Sequence, residues 1–153
     1  MKKERNNKWL ENLMYDLWED YFNDIPRING VLIKFGRRSK RQLGSIKWVR
    51  KNTRIKGLLR KQKEKLENQD DKRITLITIT SLFKNEKIPE YVVKSTIAHE
   101  MIHYAHGFFS PLKQVYNNPH QGGKIRKEME KRGLRDLYRK SKRWLKNNWN
   151  NFI

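Results

Sequence analysis

A chain of 153 residues has room for one domain and one modest core. Its 36 Lys and Arg against 16 Asp and Glu leave a net charge of +20, which favours a polyanionic partner, most simply nucleic acid. The absence of cysteine excludes disulfides, Cys-ligated zinc fingers and thiol catalysis, so any metal must be held by His and carboxylates.

The first residues, MKKERNNKWLENLMYDLW, contain no apolar leader core, and no run approaches the ~18 apolar residues of a membrane span. The expectation is an intracellular protein, cytoplasmic or nucleoid-associated, not secreted and with no membrane contact. Residues 6–23 read as an amphipathic helix, because Trp9, Leu10, Leu13, Met14, Leu17, Trp18 and Tyr21 recur at helical spacing and Pro26 closes the segment. VLIKFG (31–36) and LGSIKWVR (43–50) read as two short strands joined by RRSKRQ. Residues 51–73 are polar and basic, a loop or a short exposed helix. ITLITIT (74–80) is dense in β-branched residues and is the strongest strand signal.

Pro89 and Glu90 then mark a helix start, Val92, Val93, Thr96, Ile97 and Met101 give its apolar stripe, and Gly107 stops it. A loop, FFSPLKQVYNNP, leads to a second helix from about Gln121 to Lys131, and a last amphipathic helix is expected over 134–149. No repeat and no linker divide the chain.

Three of the four histidines fall in HEMIHYAHG, residues 99–107. His99 and His103 are one helical turn apart, which puts both imidazoles on one face within reach of one ion. Glu100 projects beside that face. It can accept a proton from a metal-activated water without itself being a ligand, the arrangement of a zincin. A catalytic zinc also needs a third protein ligand and an open fourth position. His106, His120, Glu128 and Glu130 are the candidates. His106 lies a turn too far along the helix to share the ion easily, and the 108–119 loop is long enough to fold His120 back over the helix. Tyr104, Tyr116 and His106 are each able to donate a hydrogen bond to an oxyanion.

These residues resemble the SprT-like, or Spartan, family of zinc metalloproteases. The resemblance runs over about residues 8–133: the N-terminal helix, the strand pair around LGSIKW, ITLITIT, IPEYVVKSTIAHEMIHYAHG and the downstream PHQGGKIRKEMEKRGL. It implies His99, His103 and His120 as ligands of Zn2+, Glu100 as general base, and proteolysis of DNA-associated proteins, including DNA–protein crosslinks. In that family the third ligand is a His followed closely by Gly, an aromatic, and often Met and Gly. Here Gly122, Ile125, Met129 and Gly133 keep that spacing but put Gln121 at the ligand register, with His120 one residue early and Ile125 in the aromatic's place. The family's frequent Cys-containing C-terminal zinc module is replaced by a basic tail. An edge strand before the motif helix often holds the substrate backbone in zincins, and ITLITIT is the expected strand, with little side-chain specificity.

Residues 34–66 hold 14 Lys and Arg and one acid, and residues 124–146 hold 11 and three. Arg37, Arg38, Lys40, Arg41, Lys51, Arg54, Arg139 and Arg143 are the candidate phosphate contacts for salt-sensitive, non-sequence-specific DNA binding. No helix-turn-helix, zinc-finger or RNA-recognition pattern is present. In the tail, Trp149 is the candidate for stacking unpaired bases of single strands, whereas Trp144 falls on a stripe with Leu137, Ser141, Leu145 and Phe152 that suits core packing.

The expected fold is α+β: a zincin-like minimal metalloprotease domain over 1–133, with a basic aromatic C-terminal helix over 134–153 packed on it. Its small sheet has three strands, or four with an added edge, and packs on the N-terminal and HExxH helices, followed by a third-ligand helix. The expected function is a monomeric zinc metalloendopeptidase acting on proteins held on DNA. The alternative is a nucleic-acid-binding module whose zinc site is structural or degenerate.

Overall fold

The computed structural model describes residues 4–50, 53 and 73–152. Lys51, Arg54 and most of the segment 51–73 lie outside them. The described chain is α+β, with one three-stranded sheet and four helices.

Helix α1 (Asn7–Tyr21) starts where the Asn6 side chain accepts from Trp9 N at 2.9 Å, an N-cap that satisfies a donor the helix cannot. Leu10, Leu13, Met14, Leu17 and Trp18 form its buried face, at the spacing that turns side chains to one side.

Strands β1 (Gly30–Phe35), β2 (Gly44–Trp48) and β3 (Ile74–Ile79) form a sheet in the order β1-β3-β2. β1 runs parallel to β3 and β2 antiparallel to it. Two sequence expectations change here. β1 and β2, adjacent in the chain, do not pair with each other, and ITLITIT is the central strand rather than the edge. The reason is burial: Thr75, Leu76, Ile77 and Ile79 are fully buried, covering both faces of β3, so it belongs in the middle. GSIKW carries an exposed Lys47 and two small residues, and takes the edge. The RRSKRQ loop carries the chain past the end of β3, where Gly36 N donates to Ile79 O at 2.8 Å and Thr80 N to Leu43 O at 2.8 Å.

Helix α2 (Glu90–Ala105) is buried on most sides, with Val92, Val93, Ile97, Ala98, Met101 and Ile102 inaccessible. It packs on α1 and on the sheet, with its middle against β2. It ends at Gly107, whose φ of 86° a residue with a side chain rarely adopts. Helix α3 (Lys124–Lys131) adds Ile125 and Met129 to the core. Helix α4 (Arg135–Asn148) lies against α2 and α3. Leu137, Tyr138, Trp144 and Leu145, then Trp149 and Phe152, pack on the same core as the rest of the chain. No described helix is long and apolar enough to cross a membrane.

Candidate metal centre

His99 and His103 stand one turn apart on α2, as the spacing requires. His120 reaches them from the loop before α3. Its Nε2 lies 3.2 Å from Nε2 of His99 and 3.2 Å from Nε2 of His103. All three ligand nitrogens fall within 4.8 Å of one another, close enough to bind one metal ion.

Hydrogen bonding does not account for this cluster. His120 Nε2 can act as donor or as acceptor in only one of these two contacts, so the other pair of nitrogens is left without a proper hydrogen bond. Burial and the neighbouring His120 hold the His99 imidazole down at about 4. Burial, then His99, His120 and His106, hold His103 down at about 3. At neutral pH both rings are therefore neutral, the form that binds a metal. Tetrahedral ligation at about 2.0–2.1 Å per nitrogen separates ligand nitrogens by about 3.4 Å, close to the 3.2 Å that His120 keeps from each of the other two. His103 Nδ1 is buried and has no hydrogen-bond partner among the described residues, so the usual carboxylate or carbonyl behind a ligand histidine is missing here.

Glu100, beside His99 on α2, is 5 % exposed. Burial lifts its carboxyl to about 8. Its Oε1 faces Gly44 of β2: a Cβ at that position would stand 3.1 Å from Oε1 and 3.0 Å from Thr96 Cγ2. Glycine at 44 is what lets the edge strand come this close to the motif helix.

The other ligand candidates are engaged elsewhere. His106 is buried at the end of α2 and its Nε2 meets Glu128 Oε1 at 3.2 Å. Glu128 Oε2 pairs with Arg132 Nε at 2.9 Å, and the Arg132 guanidinium donates to Asp24 Oδ1 at 2.6 Å and to Tyr21 O at 2.9 Å. This chain of charges ties α2, α3 and the end of α1 together. Arg132 in turn holds the Asp24 carboxyl below its ordinary value, chiefly through the hydrogen bond. Glu130 is exposed on α3, away from the cluster.

None of the three proposed oxyanion donors lines the site. Tyr104 OH is buried and donates to Asn29 Oδ1 at 2.6 Å, His106 meets Glu128, and Tyr116 packs edge-on against the His106 ring.

A groove of about 550 Å³ contains His99, Glu100, His103 and His120. Arg41 through Ile46 wall one side, Tyr138, Ser141, Lys142 and Leu145 of α4 another, and Phe108, Phe109 and Pro119 a third. Sequence placed Arg41 among phosphate contacts and Ser141 and Leu145 on a packing stripe, but assigned no wall residue to the site; strand order and helix packing bring them together.

The described basic candidates lie on two elements. Arg37, Arg38, Lys40 and Arg41 are exposed on the β1–β2 loop, and Arg139 and Arg143 are exposed on α4. Trp149 joins the loop to the segment after α4. Its Nε1 donates to Lys40 O at 2.9 Å, its edge meets Phe83 and its ring stacks near Phe152. The residue is half-buried, and its bond to Lys40 O ties the loop to the tail.

No protein-family model matches the chain, and no curated protein or solved structure is detectably similar to it.

Proposed function

We propose that the protein is a zinc-dependent metalloendopeptidase of the SprT-like, zincin-fold kind that acts on proteins held on DNA. The observation that carries this reading is the convergence of three imidazole Nε2 atoms beside one buried carboxyl, in a groove bordered by an edge strand.

His99, His103 and His120 would hold the ion through Nε2. Bound there, zinc supplies Lewis acidity toward a peptide carbonyl and a water molecule. The remaining work falls to the chain. Glu100 takes the proton of the attacking water on its carboxylate and returns it to the departing amine. A cation among the imidazoles opposes the burial that keeps this carboxyl protonated, so Glu100 becomes a competent base only when the site is loaded. β2 pairs with β3 along one side, and its other side borders the groove, so its main-chain N–H and C=O groups suit an added substrate strand. The basic loop and α4 would set DNA beside the same opening, by phosphate contacts without base readout.

The binding-module alternative, in its structural-zinc form, needs a closed four-ligand site. The fourth histidine, His106, is committed to Glu128, which favours three protein ligands and an open position.

The test is cleavage of a DNA-binding substrate protein by zinc-loaded enzyme, without DNA, with duplex and with single-stranded DNA. Glu100→Gln serves as the control. Cleavage that disappears in Glu100→Gln, by about a thousandfold or more, supports the peptidase. DNA binding without cleavage under any condition points to the binding module.

A further inference from the structure

We propose that Phe109 is a specificity-determining residue of the groove. Its ring, with Phe108 and Pro119, forms a subsite for a bulky apolar side chain of a peptide laid along β2; this rests on the peptidase reading above.

Phe109 is strained and exposed at once. Its φ is 52°, and among the described residues it alone, glycines aside, has positive φ. The residue is 44 % exposed, one of the few large apolar residues left in water among the described residues. Neither feature benefits folding: a left-handed backbone costs free energy in any residue with a Cβ, and an open aromatic ring forgoes burial.

Buried groups nevertheless hold the loop in this state. Tyr104 OH donates to Asn29 Oδ1 at 2.6 Å, and Asn29 Nδ2 donates to Thr75 Oγ1 at 2.9 Å and to Arg73 O at 3.0 Å. Thr75 Oγ1 then donates to the Phe109 carbonyl at 2.7 Å. Tyr104, Asn29 and Thr75 are all buried, and their relay, from α2 through β3, ends on that one carbonyl. The next residue is fixed too, by Ser110 Oγ donating to Tyr104 O at 2.8 Å. At Gly107 a Cβ would fall 2.5 Å from the Gln114 backbone, so the loop closes without slack.

The ring so held belongs to the groove wall. Thr75 pairs with Trp48 and Ile79 with Gly44, so Phe109 stands at the Trp48 end of β2, and Arg41 and Leu43 at the other, ~13 Å along the strand. Phe108 meets the edge of the His103 ring at 6.2 Å, which joins the aromatic end to the metal ligands. A peptide paired with β2 would therefore run from an apolar wall at one end to a basic one at the other. This adds side-chain selection to the mainly backbone recognition expected of the sequence.

The experiment uses zinc-loaded full-length protein and a series of labelled peptides. They are identical except for Phe or Leu against Gly or Ala at each position around the cleavage point. Cleavage is read with the wild-type protein, and binding of the same peptides by fluorescence anisotropy with Glu100→Gln. The expected result is a preference of about tenfold or more for the bulky side chain at one fixed position. That ratio should fall to near one in Phe109→Ala, with zinc content retained. Thr75→Val keeps the ring but removes its anchor, and should lower the same ratio; if it fails to fold, Phe109→Ala decides alone. No preference in either assay, or a preference that survives Phe109→Ala, overturns the subsite. So does a loss confined to single-stranded DNA binding, which would make Phe109 a base-stacking residue. Cleavage of no peptide sinks the peptidase reading separately, while the anisotropy ratios still judge Phe109.

Discussion

Glu100, 5 % exposed beside Gly44, carries a carboxyl that burial lifts to about 8. In the metal-free protein its contribution to stability is full below the unfolded value of about 4.5 and is lost as pH rises toward 8, because the unfolded chain releases the proton first. His99 and His103 act in the opposite direction. With folded values of about 4 and 3 against 6.5, their contribution is full above 6.5 and is lost as pH falls through that window, because the unfolded chain takes up protons first. Metal-free protein should therefore melt at lower temperature as pH drops from 6.5 to 4. Glu100→Gln should gain stability over wild type at neutral pH, by about 1–2 kcal/mol, with a gain that grows between pH 4.5 and 8. Thermal denaturation in chelator across this range checks both signs, and a gain independent of pH would mean that the carboxyl is not strained by burial. The residues behind this behaviour were mostly legible. HExxH declares itself in sequence because helical spacing alone puts His99 and His103 together. His120 was harder. Gly122 and Gly123 both adopt left-handed φ, 59° and 69°, so α3 begins at Lys124 and not at Gln121. That leaves His120 outside the helix, where a count along a helical register is one residue off.

At the level of elements, the site depends on how closely β2 approaches α2, and Gly44 sets that approach. A Cβ there meets Thr96 Cγ2 at 3.0 Å and Glu100 Cγ at 3.3 Å, tighter than most real contacts. Gly44→Val suits a strand by propensity but adds two methyl groups where even one carbon is crowded. The strand must then move off the helix by a fraction of an ångström to about an ångström, which carries the substrate backbone away from the zinc ligands. The expected outcome is a loss in kcat/KM of about 100-fold with zinc content retained, read by peptide hydrolysis and metal analysis. Full activity in Gly44→Val would mean that substrate does not lie along β2. This dependence was invisible in the sequence. The alternation and β-branching of ITLITIT mark a strand but do not say whether it lies at the centre or the edge; what decides is that both faces are covered once α1, α2 and the neighbouring strands are in place. The far wall was hidden for a related reason. The stripe Leu137, Trp144, Leu145 announces that α4 packs on something, yet periodicity names the face and not the partner.

Across the whole molecule, the +20 charge acquires direction. Arg37 and Arg38 belong to a loop between strands, Arg139 and Arg143 to the last helix, and about a hundred residues of chain separate them. The Trp149 indole bonded to Lys40 O joins these two pieces beside the groove. If they bind DNA as one surface, each arginine releases counterions on meeting a phosphate, and the dependence of log K on log salt should reflect their number. Replacing all four with Ala should weaken binding to any DNA sequence to a similar degree, and reduce the salt slope by about 3–4, near 0.9 for each phosphate no longer neutralised. Trp149→Ala should act differently, because it removes no charge. Freeing the loop from the tail misaligns the two halves, so affinity falls while much of the slope remains. Titrating labelled duplex and single-stranded oligonucleotides at several salt concentrations separates these cases. An unchanged slope in the fourfold variant would place the DNA-binding surface elsewhere on the chain. A slope reduced equally in Trp149→Ala would mean that the two halves bind only when joined, and that the clamp is part of the binding surface.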